Sequence, residues 1–274
     1  MKKLSFLLLP ILLLVIISHV HSQLPSRAPV NWYVLQWPPT YCIQLNNEIP
    51  PGRCIEPILE HNFTLHGLWP ADANGYTISC TDSVTVNWNQ LIPPIESELN
   101  KFWPNLREGL PKWSLWKNEY NRHGVCGGLT AKEYFDAAIS INKKITLGNL
   151  FNYLKTNGII ACDSLAFTKD QIITAVQKVF SSPLHVYLRC PSTGKNATHG
   201  YLNEVVLCTD LVKGQYNFIS CPQPATPQTC DKFQLLMLPH PQPQSTKAAQ
   251  RFEEEIDETS PELEQSWAKY AFSI

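Results

Sequence analysis

The chain has no CxxC pair among its nine cysteines. That absence argues against a structural zinc site, whose thiolate ligands come in such closely spaced pairs. It has no internal repeat, which sets aside solenoid and propeller architectures. Beyond the first two dozen residues it has no apolar run of about 20 residues, so no later segment reads as a membrane span. Nor is there an excess of either charge. The formal net charge is −1, and charge by itself nominates no polyanionic partner.

What is present begins with Met1-Lys2-Lys3, an apolar run from Leu4 to Ile17, and Val20-His21-Ser22. A positive start, a short apolar core and a small residue at the end describe a secretory signal peptide, residues 1–22, cut after Ser22. The alternative, a membrane anchor, needs a longer run. The remaining chain is long enough to bury a substantial core. Residues 23–241 read as one domain and 242–274 as an acidic tail. From Arg251 onward seven acidic residues face only Arg251 and Lys269. Without that tail the body is weakly basic, which tolerates a polyanion without proving one. The tail reads as mobile, although Ser266 to Phe272, with its Trp, Tyr and Phe, alternatively forms a short docked helix.

Behind a signal peptide, nine cysteines read as disulfides with one left over. Cys162 lies in an apolar stretch, GIIACDSLAF, and reads as a buried free thiol. Asn62-Phe63-Thr64 and Asn196-Ala197-Thr198 are glycosylation sequons, at Asn62 and Asn196.

The hydrophobic period divides the body in three. Val30 to Trp37 and His61 to Trp69 read as strands, each stopped by proline. Cys42 to Cys54 reads as a loop. The middle reads as helices: Ile95 to Phe102, Lys112 to Val125, Thr130 to Asn142 with a Thr130/Glu133 capping box, Thr146 to Asn157 and Thr168 to Phe180. The period then changes to two, giving strands at Leu184 to Arg189, Leu202 to Cys208, Tyr216 to Cys221 and Phe233 to Leu238. Strands at both ends and helices between them predict an α+β fold, an antiparallel sheet with helices packed on one side.

Two stretches carry chemistry. WKNEYNRHGVC (Trp116 to Cys126) spaces Glu119, Arg122 and His123 at i, i+3 and i+4, on one face of a helix. FTLHGLWP (Phe63 to Pro70) holds His66 and Trp69. Two histidines on separate segments suit a phosphodiester. A base takes the proton from a ribose 2′-hydroxyl, the oxygen attacks phosphorus, and an acid protonates the departing 5′-oxygen. Arg122 offers a planar donor fork to phosphate oxygens. Glu119 can orient an imidazole or bond a protonated phosphate oxygen. No metal or cofactor is needed. Each residue alone also has a plain structural reading: His66 as a hydrogen-bonded strand histidine, His123 as a helix C-terminal residue favoured by the dipole, Glu119 as half of a surface pair, Trp69 as core.

Taken together, FTLHGLWP and WKNEYNRHGVC resemble the two active-site segments of the ribonuclease T2 family. VLQWPPTYC resembles that family's first strand, and EVVLCTD with CPQPATPQTC resembles the late cysteine segments of its plant S-type and S-like members. The resemblance spans roughly Asn31 to Leu236. It implies that His66 is the general acid, His123 the general base and Glu119 the catalytic carboxylate. It implies that Trp69 flanks the phosphate, that Gln36 lies in a base site, and that Asn105 and Leu106 contact a base or ribose. It implies the pairs Cys42–Cys54, Cys80–Cys126, Cys190–Cys230 and Cys208–Cys221. The chain departs from the family pattern at three substrate-binding positions. Asn118 stands where many members have histidine, Arg122 replaces a frequent lysine, and Leu115 stands where many place a phenylalanine that stacks on a base. Losing that ring costs about 1–3 kcal/mol of stacking.

The expected activity is a secreted, extracellular, glycosylated, monomeric endoribonuclease that cuts single-stranded RNA through a 2′,3′-cyclic phosphate. It is expected to need no cofactor and to keep no membrane association after signal cleavage. Its role is either a self-incompatibility ribonuclease with a recognition partner or a general enzyme of phosphate scavenging or defence. A weakly active storage or binding relative is the reading from another class, and the intact His66, Glu119 and His123 argue against it.

Overall fold

The computed structural model describes residues 27–81, 84–145, 150–180, 183–191, 198–212, 215–222 and 229–242. The expected signal peptide, the tail from 243 on and Asn196 lie outside the described residues.

Strand β1 (Val30–Gln36) is buried along its whole length, as suits an aromatic and β-branched run flanked on both sides. Pro38 and Pro39 end it but also open helix α1 (Pro38–Asn46). The sequence reading of this stretch as strand, stop and loop is therefore corrected. Proline fits the first helical positions, where an N–H would lack an intrahelical partner anyway. Strand β2 (Thr64–Ala71) runs through Pro70 rather than stopping before it. It is an edge strand, where proline's missing N–H costs no ladder bond.

Short helices α2 (Trp88–Leu91) and α3 (Glu96–Phe102) follow. The helix expected over Lys112 to Val125 is shorter and of two kinds. Helix α4 spans Ser114–Glu119, and Tyr120–Gly124 forms a π turn in which the Val125 N–H donates to the Tyr120 carbonyl. Gly124 permits this widening, because a Cβ there would run into the rings of Tyr120 and Tyr134. Helix α5 (Ala131–Lys144) opens on the expected capping box, with both halves made between Thr130 and Glu133. Helices α6 (Leu150–Thr156) and α7 (Lys169–Gln177) complete the layer.

The remaining strands are β3 (Tyr187–Arg189), β4 (His199–Tyr201), β5 (Glu204–Val212), β6 (Gln215–Ile219) and β7 (Leu235–Met237). The main sheet has the order β2-β1-β5-β3, and β6 pairs with the rest of the β5 edge that β3 leaves open. All its pairings are antiparallel. Strands β4 and β7 form a separate parallel pair.

Alternation sorts the sheet's side chains onto two faces. Tyr33, Leu35, Leu65, Leu68, Val205 and Leu207 join the helices in the main core. Trp32, Val34, Trp69, Tyr187, Val206 and Cys208 form a smaller cluster on the other face. Four disulfides cross-link the chain: Cys42–Cys54, Cys80–Cys126, Cys190–Cys230 and Cys208–Cys221. Cys162 is free, but it is only half-buried, which corrects the expectation of an enclosed thiol. Its Sγ lies 3.1 Å from the Ser164 hydroxyl. Among the described residues, no helix is long and apolar enough to cross a membrane.

Candidate active site

The site begins with an irregularity in β2. Leu65 pairs with Leu35 and Gly67 pairs with Val34, which leaves His66 as an extra residue in the strand. Such a bulge resets the alternation and re-aims a side chain. Leu65 and Leu68 keep to the core face, while Trp69 lies on the opposite face against Trp32. His66 also reaches that opposite face. Its Nδ1 lies 2.5 Å from Glu204 Oε1, and its ring meets the Trp69 ring edge-on at 5.0 Å between centroids. The bulge is held from outside, where the Trp103 indole N–H donates to the His66 carbonyl at 2.8 Å.

The carboxylate and second histidine arrive along the β2 edge. Glu119 is the last residue of α4 and His123 lies in the π turn. Both are buried. The Trp69 indole N–H donates to Glu119 Oε2 at 2.8 Å, and Glu119 Oε1 stands 3.8 Å from His66 Nε2. The His123 ring stacks on Trp69 at 5.0 Å and 25°. Trp69 is therefore a shared wall for two histidines and a carboxylate. Gly67 leaves room for them, since a Cβ there would overlap the Glu119 carboxylate and the Trp69 indole nitrogen. The disulfide from Cys126 to Cys80 anchors the end of the segment that carries His123, and the Cys80 N–H donates to the Arg122 carbonyl at 2.7 Å.

The electrostatics drive the two histidines apart. Burial pushes the His123 imidazole down to about 3, with help from the Arg122 charge and against a hydrogen bond with the Ile78 backbone. Burial also pushes His66 down, but the Glu204 charge, its hydrogen bond and Glu119 outweigh it, and the net direction is up. Burial raises Glu119 above the usual carboxylate range, despite His66, the Trp69 N–H and Arg122. Glu204 moves the other way. Burial raises it, and Arg189 with His66 more than reverse that.

Of the residues nominated from sequence, His66, Trp69, Glu119 and His123 meet, and Arg122 acts electrostatically on Glu119 and His123. Gln36 is buried and sits directly opposite both Thr64 and Glu204 in the ladders. Asn105 and Leu106 belong to a separate loop that lies along the Cys42–Cys54 loop. The Asn105 side chain is engaged locally, donating to the Arg107 carbonyl at 2.8 Å and accepting from the Arg107 N–H at 3.1 Å. Leu115 packs partly buried against the main core. Asn118 is exposed, as is Asn62. Sequence reasoning missed Glu204 and Arg189. An acid opening the apolar strand EVVLC was a signal, but its meeting with His66 depends on a cross-strand register that the sequence does not display. Among the described residues, no cluster of His, Cys, Asp and Glu could hold a metal ion.

Comparison with known proteins gives the family. The model of the ribonuclease T2 family matches residues 30–221. The chain is 29% identical to ribonuclease S-7 of Nicotiana alata over 203 residues, which cover 70% of this chain and 81% of that one. It is 28% identical to ribonuclease DdI of Dictyostelium discoideum, over 73% of this chain and 81% of that one. Among solved structures it resembles ribonuclease MC1 from the seeds of bitter gourd, with 25% identity and a TM-score of 0.60, covering 76% of this chain and 98% of that one. With the paired histidine segments, the four disulfides and a match over most of its length, the chain belongs to the ribonuclease T2 family and is an endoribonuclease of that type.

Proposed function

We propose that this enzyme cleaves single-stranded RNA by acid–base transphosphorylation, with His123 as base and His66 as acid. The observation that carries the reading is the opposed charge preference of two histidines sharing Trp69. A ring that burial keeps neutral down to about pH 3 is ready to accept the 2′-hydroxyl proton. A ring whose proton affinity is raised chiefly by Glu204 and also by Glu119, against burial, is ready to give one to the 5′-oxygen. Pairs of groups whose environments push their proton affinities apart mark acid and base assignments. Glu119, kept protonation-prone by burial, and Arg122 stabilise the charge that develops on the phosphorane oxygens. Chain scission leaves a 2′,3′-cyclic phosphate, then a 3′-phosphate.

On this reading Gln36, Asn105 and Leu106 border the bases, Leu115 and Asn118 lie beside the phosphate and base path, and Asn62 carries a glycan. The chain acts outside the cell after loss of residues 1–22, as a monomer with RNA as its substrate and without metal. Relatives bearing S-type names favour a self-incompatibility role with a recognition partner, and the Dictyostelium relative favours a general one. Tissue expression separates the two.

The test is cleavage of a dinucleotide in chelator by the wild type, His66→Ala and His123→Ala. Each substitution is expected to lower kcat by about 10²–10⁴-fold, with a cyclic phosphate seen by ³¹P NMR in the wild-type reaction. Cleavage unaffected by either substitution overturns the assignment.

A further inference from the structure

Across one end of the sheet, Thr64, Gln36, Glu204 and Arg189 stand directly opposite one another on β2, β1, β5 and β3. Cross-strand partners share a face, so this polar row lies on the face that carries Trp69. Glu204 is only 3% exposed, which is costly for a carboxylate unless it is paired and hydrogen-bonded. It has two partners. Oε1 lies 2.5 Å from His66 Nδ1, and Oε2 lies 2.9 Å from the Arg189 guanidinium, a charge contact more than an aligned hydrogen bond. Arg189 in turn lies over the Trp69 ring at 5.1 Å. The acid histidine is therefore braced from behind, on the nitrogen opposite the one that faces Glu119.

We propose that Glu204, clamped by Arg189, is the positioning residue that makes His66 the general acid. Its carboxylate accepts the Nδ1–H, so the proton to be delivered sits on Nε2, on the side of Glu119. In the step itself the Nε2–H bond breaks as the O5′–H bond forms. The P–O5′ electron pair leaves on that oxygen, and the ring left behind is the Nδ1–H tautomer already bonded to Glu204. The charged and titratable groups that act on His66 are Glu204 from β5, Glu119 from α4 and Arg189 from β3, with the His123 imidazole of the π turn coupled to it and Arg122 acting on Glu119 and His123. Only Glu204 lies within hydrogen-bonding distance of the ring among the described residues.

This inference rests on the assignment of His66 as acid, and the experiment separates the two. Two substrates are compared in the full-length protein: a dinucleotide with a 5′-alkoxide leaving group, and uridine 3′-(4-nitrophenyl phosphate), whose leaving group needs no acid. Glu204→Gln keeps the volume and removes the charge. It is expected to lower kcat on the dinucleotide by about tenfold or more with little change in KM, to move the alkaline limb of the pH profile downward, and to leave the nitrophenyl ester almost unaffected. His66→Ala is expected to lose far more on the dinucleotide and likewise to spare the ester. If His66→Ala spares the ester but Glu204→Gln behaves as wild type on both substrates, or slows both equally, the role given to Glu204 is wrong. If His66→Ala slows both substrates equally, the acid assignment itself fails. Should Glu204→Gln not fold, ¹⁵N NMR of the wild type decides. Above its titration neutral His66 is expected as the Nδ1–H tautomer, and an Nε2–H tautomer overturns the proposal.

Discussion

His66 and Trp69 lie three residues apart in one strand, yet both present their rings to the same face of the sheet, 5.0 Å apart. A regular strand would place them on opposite faces. The bulge at His66 makes the odd spacing productive, and the glycine between them gives Glu119 room to reach the indole N–H.

Gly67→Ala is therefore expected to damage the site more than the fold. The added methyl would overlap the Glu119 carboxylate and the indole nitrogen, displacing one of them by about 1 Å, a shift that can cost about 10²-fold in rate. Dinucleotide kcat/KM set beside the thermal midpoint checks this, and wild-type rates in the variant would show that the close approach is unnecessary.

Trp69→Phe keeps an aromatic wall for His123 and removes the N–H that Glu119 accepts. A buried carboxylate then loses a donor, a loss of about 1–3 kcal/mol. The proton affinity of Glu119, already raised, is expected to rise further. Denaturant unfolding at neutral and at acidic pH reads this as a destabilisation that shrinks once the carboxyl is protonated.

The pH dependence of activity follows from the same shifts. A bell is expected for kcat/KM, its acidic limb reaching toward the His123 value of about 3 and its alkaline limb above the ordinary histidine value of about 6.5, because His66 is held up. Stability carries the matching sign. His66 has a raised folded pKa, so its contribution is full below about 6.5 and is lost as pH rises through the folded value. Glu204 has a lowered one, so its contribution is present above about 4.3 and is lost as pH falls. Thermal midpoints of wild type and His66→Ala are expected to converge as pH rises above about 6.5, the ordinary histidine value from which this shift starts; a constant gap across the alkaline range would exclude the pairing.

Asn118→His restores a titratable cation to an exposed position on α4. At acidic pH KM for oligonucleotides is expected to fall, and the dependence of log KM on log salt to steepen by up to about one phosphate contact. No change in that slope would mean that position 118 lies off the phosphate path.

Much of this was legible in the sequence, but unevenly. The capping box at Thr130 and Glu133 announced α5, because it is a local motif with local consequences. The strands around Tyr33 and Leu207 were equally plain from their apolar runs. The helix bearing His123 was not, since α-helical spacing gives no hint of a π turn that Gly124 allows by leaving room for the rings of Tyr120 and Tyr134. Pro38 and Pro39 carry two meanings, strand stop and helix start, and only packing chooses between them. His66, Glu119 and His123 were found because motifs mark them. Glu204 escaped because its meaning lies in a register between β1 and β5, set by contacts some 170 residues apart in the chain.

The polar row Thr64–Gln36–Glu204–Arg189 draws on residues from early and late in the chain. A polypeptide that has not yet been synthesised as far as residue 204 holds both histidine segments but has no carboxylate behind His66 and no β5 to flank β1. Long-range pairings of this kind form late. Of the described side chains that meet at this site, the carboxylate behind His66 is therefore the last to be made.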